Sequence, residues 1–187
     1  VGQDGSWSFT TPTLTDGSHS LTTTVTDPAG NIGPASNPFT FTVDTQPPAA
    51  AGDVQLSNNS GSTVVPIVSG GITNGTTPVL SGTAEPGSTV TLADGTNVLG
   101  SVTVGANGSW SFTSPALDDG QHSLTTTVTD PAGNTGPASV PITFEVDTTA
   151  PLAVGDPVAT HNVSALQGQL ASNDLTDANN PTPSGTA

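Results

Sequence analysis

Residues 108–151 read GSWSFTSPALDDGQHSLTTTVTDPAGNTGPASVPITFEVDTTAP, and the architecture of the chain follows from this segment. Three runs in it alternate polar and apolar side chains with a period of two, the mark of strands with one buried face. Trp110 and Phe112 share a face, against Ser109, Ser111 and Thr113. Leu124, Thr126 and Val128 line up in the second run, and Ile142, Phe144 and Val146 in the third. Between the runs lie LDDG and DPAGNTGP, rich in the Asp, Gly, Pro and Asn residues that make turns. Strands of this length joined by such turns make half of a β-sandwich.

The segment occurs twice. Residues 1–48 laid on 104–151, an offset of 103, are identical at 36 of 48 positions. The same offset relates Ser81-Gly82-Thr83-Ala84 to Ser184-Gly185-Thr186-Ala187, and Gly52-Asp53 to Gly155-Asp156. Three parts are therefore expected: 1–47 as the C-terminal part of one repeat, 48–150 as a complete repeat, and 151–187 as the N-terminal part of a third. A period near 100 is too long for a solenoid unit and suits a tandem array of sandwiches. In the complete repeat, seven strands are predicted at about 53–58, 78–84, 88–93, 97–104, 109–113, 121–130 and 141–147. The stretch 60–77 is both apolar and turn-rich, and is expected to cross between the sheets or to lie over an edge. The linkers VDTQPP (43–48) and VDTTAP (146–151) are short and carry proline, which makes them semi-rigid.

Composition sharpens this reading. Leu, Ile, Val and Phe supply only about a fifth of the residues, close to the disordered class, yet they fall where strands can bury them. Fifteen Asp and Glu face no Lys or Arg, for a net charge of −15. Salt bridges to Lys or Arg are impossible, and there is no basic patch for nucleic acid or an anionic membrane. The lack of Cys removes disulfides and thiolate sites, and the lack of Lys removes Lys–Asn isopeptide cross-links. No apolar run approaches the roughly 18 residues of a membrane span. Val1 opens inside a strand–turn pattern, so targeting segments are expected to lie outside this sequence.

Strand parity then places the loops. If the first strand enters at one pole, the turns near 85 and 107 and the loop at 130–134 share that pole with the incoming linker. Glu85, Asn107, Asp130 and Asn134 are expected to gather there with Asp44, and Asp44, Glu85, Asp130 and Asn134 are the candidate metal ligands among them. The other pole collects Asp94, Asp118, Asp119 and Asp147, with Asp147 taking the role of Asp44 at the next joint. Carboxylates crowded without basic partners call for a cation, and oxygen-only ligands in irregular loops favour Ca²⁺. Asp27, the repeat-mate of Asp130, belongs to the same candidate metal set. Both aspartates are equally turn formers through side-chain to backbone bonds, and the two roles are compatible. The spacing is not that of an EF-hand.

The string W-S-F-T…L-x-D-G-x-H-S-L-T…V-T-D-x-A-G-N…F-x-V-D-T-x-x-P, with S-G-T-A-E-P-G-S-T-V at 81–90, resembles the bacterial Ig-like repeats of giant secreted adhesins and biofilm-associated proteins. The resemblance implies an all-β fold of tandem seven-stranded Ig-like sandwiches joined by Pro-containing linkers, located outside the cell on a bacterial surface. It further implies a spacer role between a cell anchor and an adhesive tip, with Ca²⁺ at inter-domain junctions in some relatives. The partners so implied are neighbouring repeats of the same chain and a host-cell or biofilm-matrix surface. Two alternatives stay open: a module whose pole loops bind a glycan or protein receptor, and a filament-forming subunit.

No catalytic arrangement emerges. Ser123, His122 and Asp130 are near one another in sequence, but neighbours on a strand point to opposite faces. No nucleophile elbow, HExxH or phosphate-cradling loop is present. His19 and His122 recur with the repeat and are expected as structural histidines at a strand end, and Trp7 and Trp110 as core anchors.

Overall fold

The computed structural model describes residues 2, 4–58, 64–153, 158–163, 166–170 and 182–184. They fall into two compact units, Val1–Thr148 and Thr149–Ala187. All regular structure among the described residues is β-strand.

The part-repeat at the start contributes β1 (Gly17–Leu21) and β2 (Phe39–Val43). The complete repeat contains β3 (Gly52–Asn58), β4 (Val65–Ile67), β5 (Gly71–Thr73), β6 (Val79–Thr83), β7 (Thr89–Asp94), β8 (Asn97–Thr103), β9 (Ser109–Thr113), β10 (Gly120–Thr129) and β11 (Ile142–Val146). They form two sheets, in the orders β4-β3-β6-β9 and β5-β11-β10-β7-β8. The seven predicted runs are all strands, with ends within one or two residues of expectation.

The described part of 60–77 does cross between the sheets. β4 pairs antiparallel with β3 at the edge of the first sheet, where Pro66 is tolerated because an edge strand needs fewer donors. A tight turn follows, with Gly71 N donating to Val68 O and Gly70 N to Thr143 O. Gly70 sits at φ 85°, a conformation that glycine adopts without penalty. β5 then pairs parallel with β11 in the second sheet.

Alternation fills the space between the sheets. Leu56, Leu80 and Trp110 of the first sheet meet Val90, Leu92, Leu124, Val128, Phe144 and Val146 of the second in one core cluster. Phe112 lies partly buried against it. β8 carries a bulge: Leu92 faces Gly100 and Ala93 faces Val98, so Leu99 is the extra residue, and Gly100 takes φ 152°.

In the part-repeat, β1 and β2 keep the register of β10 and β11, from Gly17 opposite Val43 to Leu21 opposite Phe39. Trp7, however, is 62% exposed whereas Trp110 is 4% exposed, which corrects the expectation that both are core anchors. Strands equivalent to β3 and β6–β8, which cover the Trp110 face, have no counterpart beside Trp7 among the described residues. In the second unit, β12 (Val158–Val163), β13 (Leu166–Leu170) and β14 (Thr182–Ser184) form one antiparallel sheet in the order β13-β12-β14. Residues 155, 156 and 185–187, on which the sequence match to the complete repeat partly rests, lie outside the described residues.

Candidate functional site

The loop 130–136 is built by its first and fifth residues. Asp130 Oδ1 accepts from the Asn134 backbone N–H at 2.9 Å, and Oδ2 from Asn134 Nδ2 at 2.8 Å. The Asp130 N–H donates to Asn134 O at 3.0 Å, and Gly133 at φ 95° lets the chain reverse. The bond from the Asn134 side chain holds the Asp130 carboxyl below its usual value, against an upward push from burial; backbone donors at 132–134 add to the lowering. Asp27 repeats the pattern with Asn31, at 2.8 Å to both its backbone and side-chain nitrogens, and its carboxyl is lowered for the same leading reason. The DPAGN aspartates are thus turn-forming residues.

This loop touches the incoming linker. Asn134 Nδ2 also donates to the Asp44 carbonyl at 3.0 Å. Asp44 Oδ1 accepts from Gln46 N at 3.0 Å. From the preceding part-repeat, Asp16 accepts from Thr45 Oγ1 at 2.9 Å and from Gln46 Nε2 at 3.2 Å, contacts that lower its carboxyl. Pro48 is buried, while its neighbours from Asp44 to Pro47 are exposed.

The other expected residues are less concentrated. Glu85 is exposed on the turn between β6 and β7, where its carbonyl accepts from Ser88 N. That turn lies at the same pole, since Ala84 N donates to Gly108 O and Gly87 N to Val104 O. Asp147 is exposed after β11, with its N–H on Thr73 O at 2.9 Å. Among the described residues, no three His, Asp or Glu side chains form a group that could hold a metal ion.

The opposite pole holds contacts that no spacing in the sequence announces. Asp119 accepts through Oδ1 from Thr148 N at 3.2 Å and Thr148 Oγ1 at 2.8 Å. His122 Nδ1 lies 2.7 Å from Asp94 Oδ2, and its Nε2 lies 2.9 Å from Asp118 O. Asp94 Oδ1 accepts from Ser123 N at 2.8 Å. Since carbonyl and carboxylate only accept, both bonds to the ring require both nitrogens protonated. Burial pushes the His122 pKa down, but the bonds to Asp94 and Asp118 and the charges of these two residues outweigh it, and the net shift is upward. A raised histidine pKa contributes stability that is full below the unfolded value near 6.5 and is lost as pH rises through the folded value. The melting temperature of the wild type is therefore expected to fall as pH rises above 6.5, relative to His122→Gln. Parallel melting curves for the two proteins across this range would contradict the assignment. The depressed carboxyls act in the other direction: the stability from Asp130 is present above its ordinary value of 3.8 and lost as pH falls through the lowered one.

A family model described as bacterial Ig-like domain matches residues 1–45 and again 48–148. Among solved structures, "Biofilm associated protein - BSP domain" aligns at 23% identity with a TM-score of 0.33. The alignment covers 71% of this chain and 26% of that one, so the chain spans about a quarter of its length. No curated protein matches.

Proposed function

The chain belongs to the bacterial Ig-like domain family, and from that premise we propose that it is a stalk segment of an extracellular bacterial adhesin, its sandwiches acting as spacers. The observation that carries this reading is the linker 44–48. Asp16 holds it from one repeat and Asn134 from the next, as a spacer that must keep its direction requires.

The finer part of the proposal is that Ca²⁺ stiffens the joints. Asp44, Glu85, Asp130 and Asn134 are the residues that would hold it at the first joint, with Asp147 in the Asp44 role at the second and Asp27 in the Asp130 role upstream. Their donor atoms are oxygens, and the chain has no positive side chain other than histidine to neutralise them. Asp130 and Asn134 are already engaged with one another, so Asn134 would offer only its amide oxygen and Asp130 the remaining lone pairs of its carboxylate. Extracellular modules bind Ca²⁺ at about 10⁻⁴–10⁻³ M, which would fill such a site outside cells.

Small-angle scattering and thermal melting, with Ca²⁺ and with chelator, test the metal. Chelation is expected to reduce the maximum dimension and to lower the melting temperature, and Asp44→Ala to make both insensitive to Ca²⁺. If chelation changes neither quantity, the carboxylates serve as turns and linker contacts alone.

A further inference from the structure

The two DPAGN loops have the same internal structure and differ in what lies against them. In each, the aspartate holds the asparagine through backbone and side-chain nitrogens. Gly33 N donates to Val25 O at 2.8 Å, and Gly136 N to Val128 O at 2.9 Å. Gly30 and Gly133 take φ 92° and 95°. The loop is therefore formed whether or not a linker lies on it.

Among the described residues, a linker lies on the loop at 130–136. There Asn134 makes its additional bond to the Asp44 carbonyl, and a Cβ built on Gly136 would overlap the Pro48 carbonyl. At the equivalent Gly33, a Cβ would make one ordinary contact, 3.5 Å from Val25 O. Neither glycine has positive φ, so the backbone does not demand glycine at either position. At 136 the requirement comes from the linker backbone, which approaches as closely as a missing side chain allows.

We propose that the loop 130–136 is a receptor for the V-D-T-x-x-P linker that leaves the preceding repeat. Asn134 reads the carbonyl of its aspartate, and Gly136 makes the space for the carbonyl of its final proline. The loop at 27–33 is the same receptor, with Asn31 and Gly33 in the reading positions, and its fitting partner is likewise the end of an Ig-like repeat. Asp16 and Asp119 hold the following threonines, Thr45 and Thr148, from the repeat just completed. The linker at 43–48 is thus fixed by its own repeat through threonine and read by the next through asparagine and glycine. The recognition uses no metal and is independent of whether Ca²⁺ adds to it.

The test is ¹⁵N relaxation on the full 187-residue chain in chelator, comparing wild type, Gly136→Ala and Gly33→Ala. In the wild type, Thr45 and Gln46 are expected at order parameters near 0.85, typical of rigid backbone. Gly136→Ala should drop them below about 0.6 and move the Asn134 side-chain amide resonances, while Gly33→Ala leaves both unchanged. Amide exchange in β10 reports on the sandwich itself and is expected to be equal in all three. A rigid linker in Gly136→Ala overturns the proposal, as does equal loosening by both substitutions. So does loss of β10 protection in Gly136→Ala, because Gly136 would then serve the sandwich and not the joint. Low order parameters for the wild-type linker in chelator also overturn the proposal; the calcium test reads the maximum dimension and melting temperature, and order parameters read only ps–ns backbone motion at the linker, so the two outcomes are distinguishable.

Discussion

Trp110→Ala is expected to destabilise the complete repeat by about 3–5 kcal/mol, the range for emptying a buried aromatic site. The indole is 4% exposed and belongs to the core cluster shared by both sheets. Gly82, facing it in β6, fixes the fit: a Cβ there would come within 3.0 Å of the indole and 2.8 Å of the Gly52 carbonyl. Surroundings held this closely relax little into a cavity. Trp7→Ala supplies the internal comparison, since an exposed position should change stability by no more than about 0.5 kcal/mol. Urea denaturation followed by far-ultraviolet circular dichroism measures both without relying on the fluorophore being removed. A loss below about 1 kcal/mol for Trp110→Ala, against the range expected for such a site, would mean the core does not close over the ring.

The second large effect is expected at Gly100. Its φ of 152° lies outside the ordinary range of L side chains, and a Cβ would come within 2.7 Å of the Phe112 ring edge. Gly100→Ala is expected to combine about 1–3 kcal/mol of backbone strain with a crowding penalty of about 1–3 kcal/mol. The bulge gives the substitution a specific signature. Leu99, the extra residue, packs on the core, so forcing Gly100 outward should disturb β7–β8 pairing before β10–β11. Hydrogen exchange distinguishes the two pairs. Uniform loss of protection across the second sheet would place the strain elsewhere.

Much of the fold was legible because the apolar residues alternate. Seven runs with one apolar face, separated by Gly, Pro, Asp and Asn, leave little freedom for anything except a sandwich, and the family match agrees. The stretch 60–77 resisted reading because VVPIV suits a buried strand and a capping loop equally well. Its course depends on pairing with β3 and β11, the latter some 70 residues downstream. Trp7 misled for a related reason: alternation shows which face a residue takes, and another part of the chain decides whether that face is covered.

The site was legible in its turns and much less so in its contacts. Asp130 and Asn134 are four residues apart in a turn-forming string, and their mutual bonds follow from that spacing. The His122–Asp94 pair could not be found this way. It exists because β7 and β10 align Leu124 with Asp94, and a register set by the whole sheet leaves no local trace. Asp16 with Thr45 and Asp119 with Thr148 are each separated by 29 residues, and they meet only because the strand after each Asp-Gly turn is followed by a partner that returns to it. A comparison of the two copies offered one signal for Gly136, the retention of glycine after N-x, although nothing in one copy alone says what it makes room for.

The parallel pairing of β5 with β11 bears on how the complete repeat would respond to a load. β5 lies on the N-terminal side of the repeat and β11 runs directly into the outgoing linker. When the two ends are drawn apart, a pull reaching β5 through its N-terminal end opposes one reaching β11 through its C-terminal end, along the common strand direction. The ladder that sets Gly71 beside Phe144, Ile72 beside Glu145 and Thr73 beside Val146, together with the bonds of Asp147 N to Thr73 O and Gly70 N to Thr143 O, is then strained as a unit in shear. An antiparallel pair loaded from one end would instead open one rung at a time. A short ladder can in this way resist tension out of proportion to its contribution to equilibrium stability.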